Sequence, residues 1–340
     1  MRQKVRHRKR DQVTRRIEGA VRAVLPRAVR VEMGPADSGF DLMVNGVGLE
    51  VKWVGEGWLH QVKPLLASRT RRPTVFVARR MSPGAREALS KADIGWIDET
   101  GAAEIAIGSL VVSRSGRPED PRAKPARWTP SVLAVAEALL CGTKPTVEAT
   151  KETTGLSTGS CTGALRLLAD LALLKAEATR GRQSARRILD SNELLDAYAS
   201  AAARLKPIMR LQVGVTWRDV IAGLGKAGRT WQEAGVAWAV TGAAASQVVA
   251  PFLTTVNVAE VYVDAKTVAE LLAVAAKAGL PPIEGGRLTL RPFPTVTSRR
   301  LACERDGLRV APWPRIYADL RTTGVRGEEA AEHLREVLCG

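Results

Sequence analysis

The sequence predicts an α/β multidomain protein, and three observations carry that prediction. Its 340 residues exceed the size, roughly 250–300, at which one hydrophobic core stops growing. Amphipathic helix patterns alternate with short apolar strand patterns toward both ends of the chain. Between them, residues 130–205 read as helical apart from one short basic hairpin.

Charge narrows the function classes. The formal net charge is +16 and the sequence pI about 10.3, a balance that points to a polyanionic partner and away from an ordinary metabolic enzyme. A membrane is the competing polyanion, but no apolar run reaches the roughly 18–20 residues needed to span one. Glu18 and Arg22 interrupt the stretch where a secretory signal would need its apolar core. The expectation is a soluble, cytoplasmic, nucleoid-associated protein with no membrane partner. Cys141, Cys161, Cys303 and Cys339 show no CxxC spacing and no nearby histidine, so they read as reduced thiols rather than a zinc site.

The first unit, residues 1–112, opens with a basic arm (Arg2, Lys4, Arg6, Arg8, Lys9, Arg10) and a helix over Asp11–Leu25, with Val13, Ile17, Val21 and Val24 at helical spacing. Strands follow at Val29–Met33, around Asn45-Gly46, at Thr74–Ala78 and at Gly95–Ile97, with helices over Trp58–Ala67 and Pro83–Ala92. Prolines and arginines then displace any hydrophobic periodicity, which marks residues 113–129 as a linker.

Residues 130–205 follow as the second unit. Helix patterns over Ser131–Leu140, Thr146–Thr153 and Ser157–Leu174, the last two joined through Gly155 and Leu156, have helix-turn-helix spacing. In the third, Cys161, Ala164, Leu165, Leu168 and Leu171 share one face. Ser157, Thr158, Ser160, Thr162 and Arg166 face away; small hydroxyls let such a helix approach the major groove, where Arg166 could reach a base edge or phosphate. Residues 175–189 then read as two short strands around Gly181 carrying Arg180, Arg182, Arg186 and Arg187, a basic wing suited to the phosphate backbone. The third unit, residues 206–340, places strands at Trp238–Thr241, Ala259–Val263, Arg287–Leu290 and Leu308–Ala311 between helices.

The first unit holds a second candidate site. Asn45-Gly46 is a strong signal for a two-residue type I′ hairpin, because both positions need positive φ. Fixing the turn there pairs Leu42 with Leu49 and Asp41 with Glu50, and period-two alternation puts Lys52 on the face of Glu50. Two carboxylates this close repel unless a cation joins them, and hard oxygen donors suit Mg²⁺. Asp41 followed by Glu50-Val51-Lys52 resembles the PD-(D/E)xK pattern of the restriction-endonuclease-like fold, with Phe40 in place of the proline. That resemblance implies Asp41 and Glu50 as metal ligands, Lys52 as the catalytic cation, and Glu18 and Gln61 as accessory positions.

A wider resemblance covers most of the chain. AWAVTGAAASQVVAPF from Ala237, VAEVYVD, the stretch from Gly307 to Leu338, and ADIGWIDETGAAEI over Ala92–Ile105 are similar to the AbiEi family of antitoxin-like transcriptional regulators. The resemblance implies a winged-helix repressor whose C-terminal domain is related in shape to nucleotidyltransferases. Thr241-Gly242 stands where such an enzyme has its Gly-Ser turn, while its two strand carboxylates fall on Val258 and Glu260, so one metal ligand is missing. The expected function is a sequence-specific double-stranded-DNA-binding regulator needing no cofactor for binding, with a toxin protein or a second copy as further partners. The alternative is a Mg²⁺-dependent DNA endonuclease targeted by the winged helix.

Overall fold

The computed structural model describes residues 2–26, 28–34, 41–67, 74–108, 110–116, 128–176, 186–205 and 209–339. The protein is α/β, with thirteen helices among the described residues, and it divides into two compact units, Met1–Pro125 and Ala126–Gly340.

The first unit runs α1 (Arg2–Val24), β1 (Val31–Met33), β2 (Leu42–Val44), β3 (Val47–Trp53), α2 (Leu59–Ala67), β4 (Thr74–Ala78), α3 (Pro83–Lys91), β5 (Gly95–Asp98), β6 (Ala102–Ile107) and β7 (Leu110–Ser115). The strands lie side by side in chain order in one mixed sheet. β1, β2 and β3 are antiparallel, β3, β4 and β5 parallel, and β5, β6 and β7 antiparallel. Parallel neighbours need a crossover, and α2 and α3 supply the two that this sheet requires. Alternation along the strands then divides the apolar residues between two cores. Leu49, Val51, Val77 and Ile97 pack with Val21 and Val24 of α1, whereas Phe76 and Trp96 pack with Val62 of α2 and Leu89 of α3.

The type I′ turn forms as the sequence dictates, with Asn45 at φ 48° and Gly46 at φ 83°. Two features differ from expectation. The β6–β7 hairpin was not anticipated, and β7 runs to Ser115, so the strand occupies the start of the stretch assigned to the linker. Asp98 holds the turn that leads from β5 into β6: its buried carboxylate accepts from the backbone N–H of Thr100 (3.0 Å) and Ala102 (3.1 Å).

The second unit runs α4 (Pro130–Leu140), α5 (Val147–Thr154), α6 (Thr158–Asp170), β8 (Leu174–Ala176), β9 (Arg186–Ile188), α7 (Ser191–Arg204), β10 (Leu211–Val213), α8 (Val220–Glu233), β11 (Trp238–Thr241), α9 (Gly242–Val249), β12 (Ala259–Val263), α10 (Val268–Lys277), β13 (Leu288–Pro292), α11 (Val296–Arg300), β14 (Cys303–Arg305), β15 (Leu308–Val310), α12 (Trp313–Leu320) and α13 (Val325–Cys339). Six strands form a mixed sheet in the order β10-β13-β12-β11-β15-β14, and β8 pairs with β9 as a separate ribbon.

The expected division near Lys206–Pro207 does not separate two cores. One apolar cluster runs from Leu133 and Leu165 of the helical segment, through Tyr198 of α7, to Val261, Leu290 and Tyr317 around the sheet. The third helix also ends earlier than expected, at Asp170 rather than Leu174. Ala172 at φ 58° turns the chain out of the helix, and Leu174 already belongs to the ribbon.

Candidate nucleic-acid interface

Each helix of the helix-turn-helix begins on a capping hydroxyl that satisfies a backbone N–H left over at the helix start. Thr129 caps α4, Thr146 caps α5 and Ser157 caps α6. The turn between α5 and α6 rests on Gly155, which closes α5 at φ 73°, a left-handed conformation that glycine adopts without a Cβ penalty. Thr154 holds the far side of the turn, its buried Oγ1 accepting from the N–H of Leu156 at 3.2 Å.

Helix α6 presents two faces. Cys161, Ala164, Leu165 and Leu168 are buried, while Ser157, Thr158, Thr162 and Arg166 are exposed and Ser160 is half-buried. Leu171, expected on the apolar face, is instead the half-buried residue that closes the helix. Gly159 and Gly163 on the outer side have open space where a Cβ would stand, so this surface is low in relief. Part of its hydroxyl capacity is already used: Thr162 donates to the Thr158 carbonyl at 2.8 Å, and Ser157 donates to Ser160 at 3.0 Å.

The β8–β9 ribbon follows with the register Leu174↔Ile188, Lys175↔Arg187 and Ala176↔Arg186. Two exposed cations, Lys175 and Arg187, therefore stand directly opposite one another on the ribbon. Arg186 is half-buried beside them. Arg180 and Arg182 lie outside the described residues.

In the first unit, Glu50 and Lys52 share a face of β3 with Oε1 and Nζ 3.4 Å apart, each side chain about a quarter exposed or less. Asp41 departs from the simple hairpin register. The ladder ends at Leu42↔Leu49 instead of continuing to an Asp41–Glu50 pair. The Asp41 N–H donates to the Leu49 carbonyl at 2.9 Å, and its Oδ2 accepts from the Val51 N–H at 2.7 Å. Asp41 thus brackets Glu50 through the backbone on both sides. A divalent ion here would rest on the Asp41 and Glu50 carboxylates, completed by substrate oxygens and water, as hard cations with one or two protein carboxylates usually are. Among the described residues no group of three or more His, Cys, Asp or Glu is placed to hold a metal. The accessory positions have other partners. Glu18 pairs with Arg22 one turn along α1 at 3.1 Å, and Gln61 Oε1 accepts from the N–H of Gly57 (3.0 Å) and Trp58 (3.1 Å), tying down the start of α2.

In the second unit, two of the residues singled out by the nucleotidyltransferase resemblance, Thr241 and Glu260, are bonded internally. Thr241 donates to the Asp319 carboxylate at 2.6 Å and leaves α9 without a side-chain cap. Glu260 pairs with Arg291 at 2.7 Å, and Val258 is exposed. Burial alone would raise the Asp319 carboxyl, but the Arg315 guanidinium paired with it holds it below its ordinary range.

Sequence reasoning missed the residues that join this sheet to the helix-turn-helix. Glu137 of α4 is fully buried and accepts from Thr295 Oγ1 at 2.7 Å and Ser298 Oγ at 2.7 Å, both at the start of α11. Burial pushes its carboxyl up to about 7, against the partial opposition of those two hydroxyls and of Arg315. The signal was present in the sequence as one acidic residue inside the apolar run VLAVAEALL. Cys141, Cys161 and Cys303 are free thiols, and no helix among the described residues is long and apolar enough to cross a membrane. No family model, curated protein or solved structure matches this chain.

Proposed function

We propose that this chain is a sequence-specific double-stranded-DNA-binding regulator of AbiEi-like architecture, in which α6 enters the major groove and the β8–β9 wing grips the phosphate backbone. The observation that carries the reading is the Lys175↔Arg187 pairing on the wing stem, immediately after a helix whose outer face is flat, hydroxyl-rich and ends in Arg166. Two exposed cations side by side on the ribbon present paired positive charge to a phosphate backbone. The first unit, in which the basic residues expected as an arm ahead of the helix instead form the start of α1, would add sequence-independent contacts.

The test is enrichment of duplexes from a random-sequence pool on the full chain, followed by footprinting of the enriched sequence. A protected site, with affinity that falls steeply as salt rises, is the expected result. Failure to enrich any sequence would remove the regulator reading.

A second reading has its own observation. The Glu50–Lys52 pair beside the anchored Asp41 has the residue types of a Mg²⁺-dependent endonuclease. Incubation of supercoiled plasmid with Mg²⁺ or Mn²⁺, beside an Asp41→Ala control, tests it. Cleavage lost in the control would establish a nuclease; no cleavage with either metal would leave the domain a scaffold.

A further inference from the structure

Helix α11 belongs to the C-terminal sheet region by sequence, and Arg299 pairs there with Asp264 at 3.0 Å, yet the helix's other polar side chains and its cap Thr295 bond to the helix-turn-helix. Thr297 Oγ1 donates to the Ala134 carbonyl of α4 at 2.8 Å, and Thr295 and Ser298 donate to Glu137 one turn further along. Arg300, at the other end of α11, reaches α5. Its Nε donates to the Thr153 carbonyl at 2.9 Å and its Nη2 to the Glu152 carbonyl at 3.3 Å. Both carbonyls lie in the last turn of α5, where a helix leaves its C=O groups without intrahelical partners and where a cation is favoured by the dipole.

The guanidinium also covers the turn itself. A Cβ at Gly155 would lie 2.9 Å from Arg300 Nη1, so the guanidinium lies directly against a turn whose positive φ calls for glycine. Only Leu156 separates Gly155 from Ser157, the cap of α6. A change in how Arg300 holds the end of α5 is therefore passed to the start of α6 over two residues, with Thr154 bonding Leu156 on the opposite side of the turn.

We infer that Arg300 is a positioning residue for DNA reading: it locks the turn between α5 and α6 and so sets the angle at which α6 meets the groove. This rests on the DNA-binding reading above. Arginine suits the role better than lysine, because its planar fork satisfies two adjacent carbonyls at once where an ammonium would serve one.

The experiment compares the full wild-type chain with Arg300→Met, Arg300→Lys and, as a control, Arg309→Met, an exposed arginine on β15. Two measurements are made on each. The first, without DNA, is amide hydrogen exchange over residues 153–157. The second is affinity for a duplex enriched on the wild type and for a scrambled duplex of the same composition, over a range of salt.

Arg300→Met is expected to speed exchange in that segment roughly tenfold and to lower the ratio of specific to scrambled binding by about as much, with the salt slope unchanged. Arg300→Lys should recover part of both effects, and the control should show neither. Unchanged exchange would overturn the inference. So would a salt slope reduced by about 0.9 with the binding ratio intact, which would make Arg300 a phosphate contact. If the wild type itself discriminates no sequence, the regulator reading fails and the angle-setting role fails with it, while the exchange data still decide whether Arg300 holds the turn.

Discussion

Replacing Glu137 by glutamine should flatten a pH dependence that the wild type carries in its core. The carboxyl is fully buried, and its pKa is raised from 4.5 to about 7. The groups facing it are Thr295 and Ser298 at the start of α11, Arg315 and Asp319 of α12, Tyr198 of α7, and Cys141 at the end of its own helix. Because the folded protein holds this proton more tightly than the unfolded chain, stability from this group is greatest below pH 4.5, falls as pH rises, and levels off above about 7. That rise in pKa corresponds to about 3 kcal/mol in full, most of which falls between about pH 5 and about pH 8. Glutamine has the same shape, stays neutral, and leaves the two hydroxyls a partner, since a hydroxyl rotates to donate or accept. Urea unfolding of both proteins at the two pH values gives a double difference in which every other titrating group cancels. The variant should gain about 2–3 kcal/mol on the wild type as pH rises across that window. Parallel pH profiles for the two proteins would refute the reasoning, because they would mean that Glu137 is equally ionised in the folded and unfolded chains.

Other perturbations follow from single contacts. Lys175→Ala should leave stability within about 0.5 kcal/mol of the wild type, as expected of an exposed side chain, yet lower the salt slope of DNA binding by about 0.9; a loss of stability with unchanged binding would assign Lys175 to structure. Asp319→Ala strands the buried Arg315 guanidinium and removes the acceptor of Thr241 and Tyr262, so denaturant unfolding should show a loss of about 3–5 kcal/mol. Gly57→Ala puts a Cβ 2.5 Å from the Arg80 carbonyl at a residue with φ 83°, and should cost at least roughly 1–3 kcal/mol by thermal or denaturant unfolding.

Most of what is local was legible in the sequence. Asn45-Gly46 dictated its turn and the Leu42↔Leu49 register, Thr74–Ala78 and Trp238–Thr241 are strands over the expected residues, and the buried and exposed faces of α6 separate largely as helical spacing requires. What escaped was set by side chains bonding across distance. A period-two rule extends a ladder indefinitely, so it could not foresee that Asp41 would spend its carboxylate on Val51 and end the pairing. The strand β6 has the alternating burial of a half-exposed strand, and Asp98 holds the turn before it through local bonds to Thr100 and Ala102, but its other oxygen also accepts from the Met81 N–H seventeen residues back, a contact no local pattern encodes. The fusion of the helix-turn-helix with the C-terminal sheet was hidden for the same reason. Glu137 and its hydroxyl partners are about 160 residues apart, and each alone reads as an ordinary polar residue.

Two departures from local rule converge on the same module. A buried carboxyl in an apolar helix face and two cations opposed on a ribbon are both unneeded to close the core, since leucine at position 137 or alanine at position 175 would satisfy local packing rules. The cations face outward, where a phosphate backbone would meet them. The carboxyl faces inward, where it fixes α11, and with it Arg300, against the helices of the proposed reading surface. A pair of outward cations and an inward group that orients the same surface are what the proposed binding module would use. The departures from local rule, more than the helix-turn-helix spacing alone, are the reason to place function in this part of the chain.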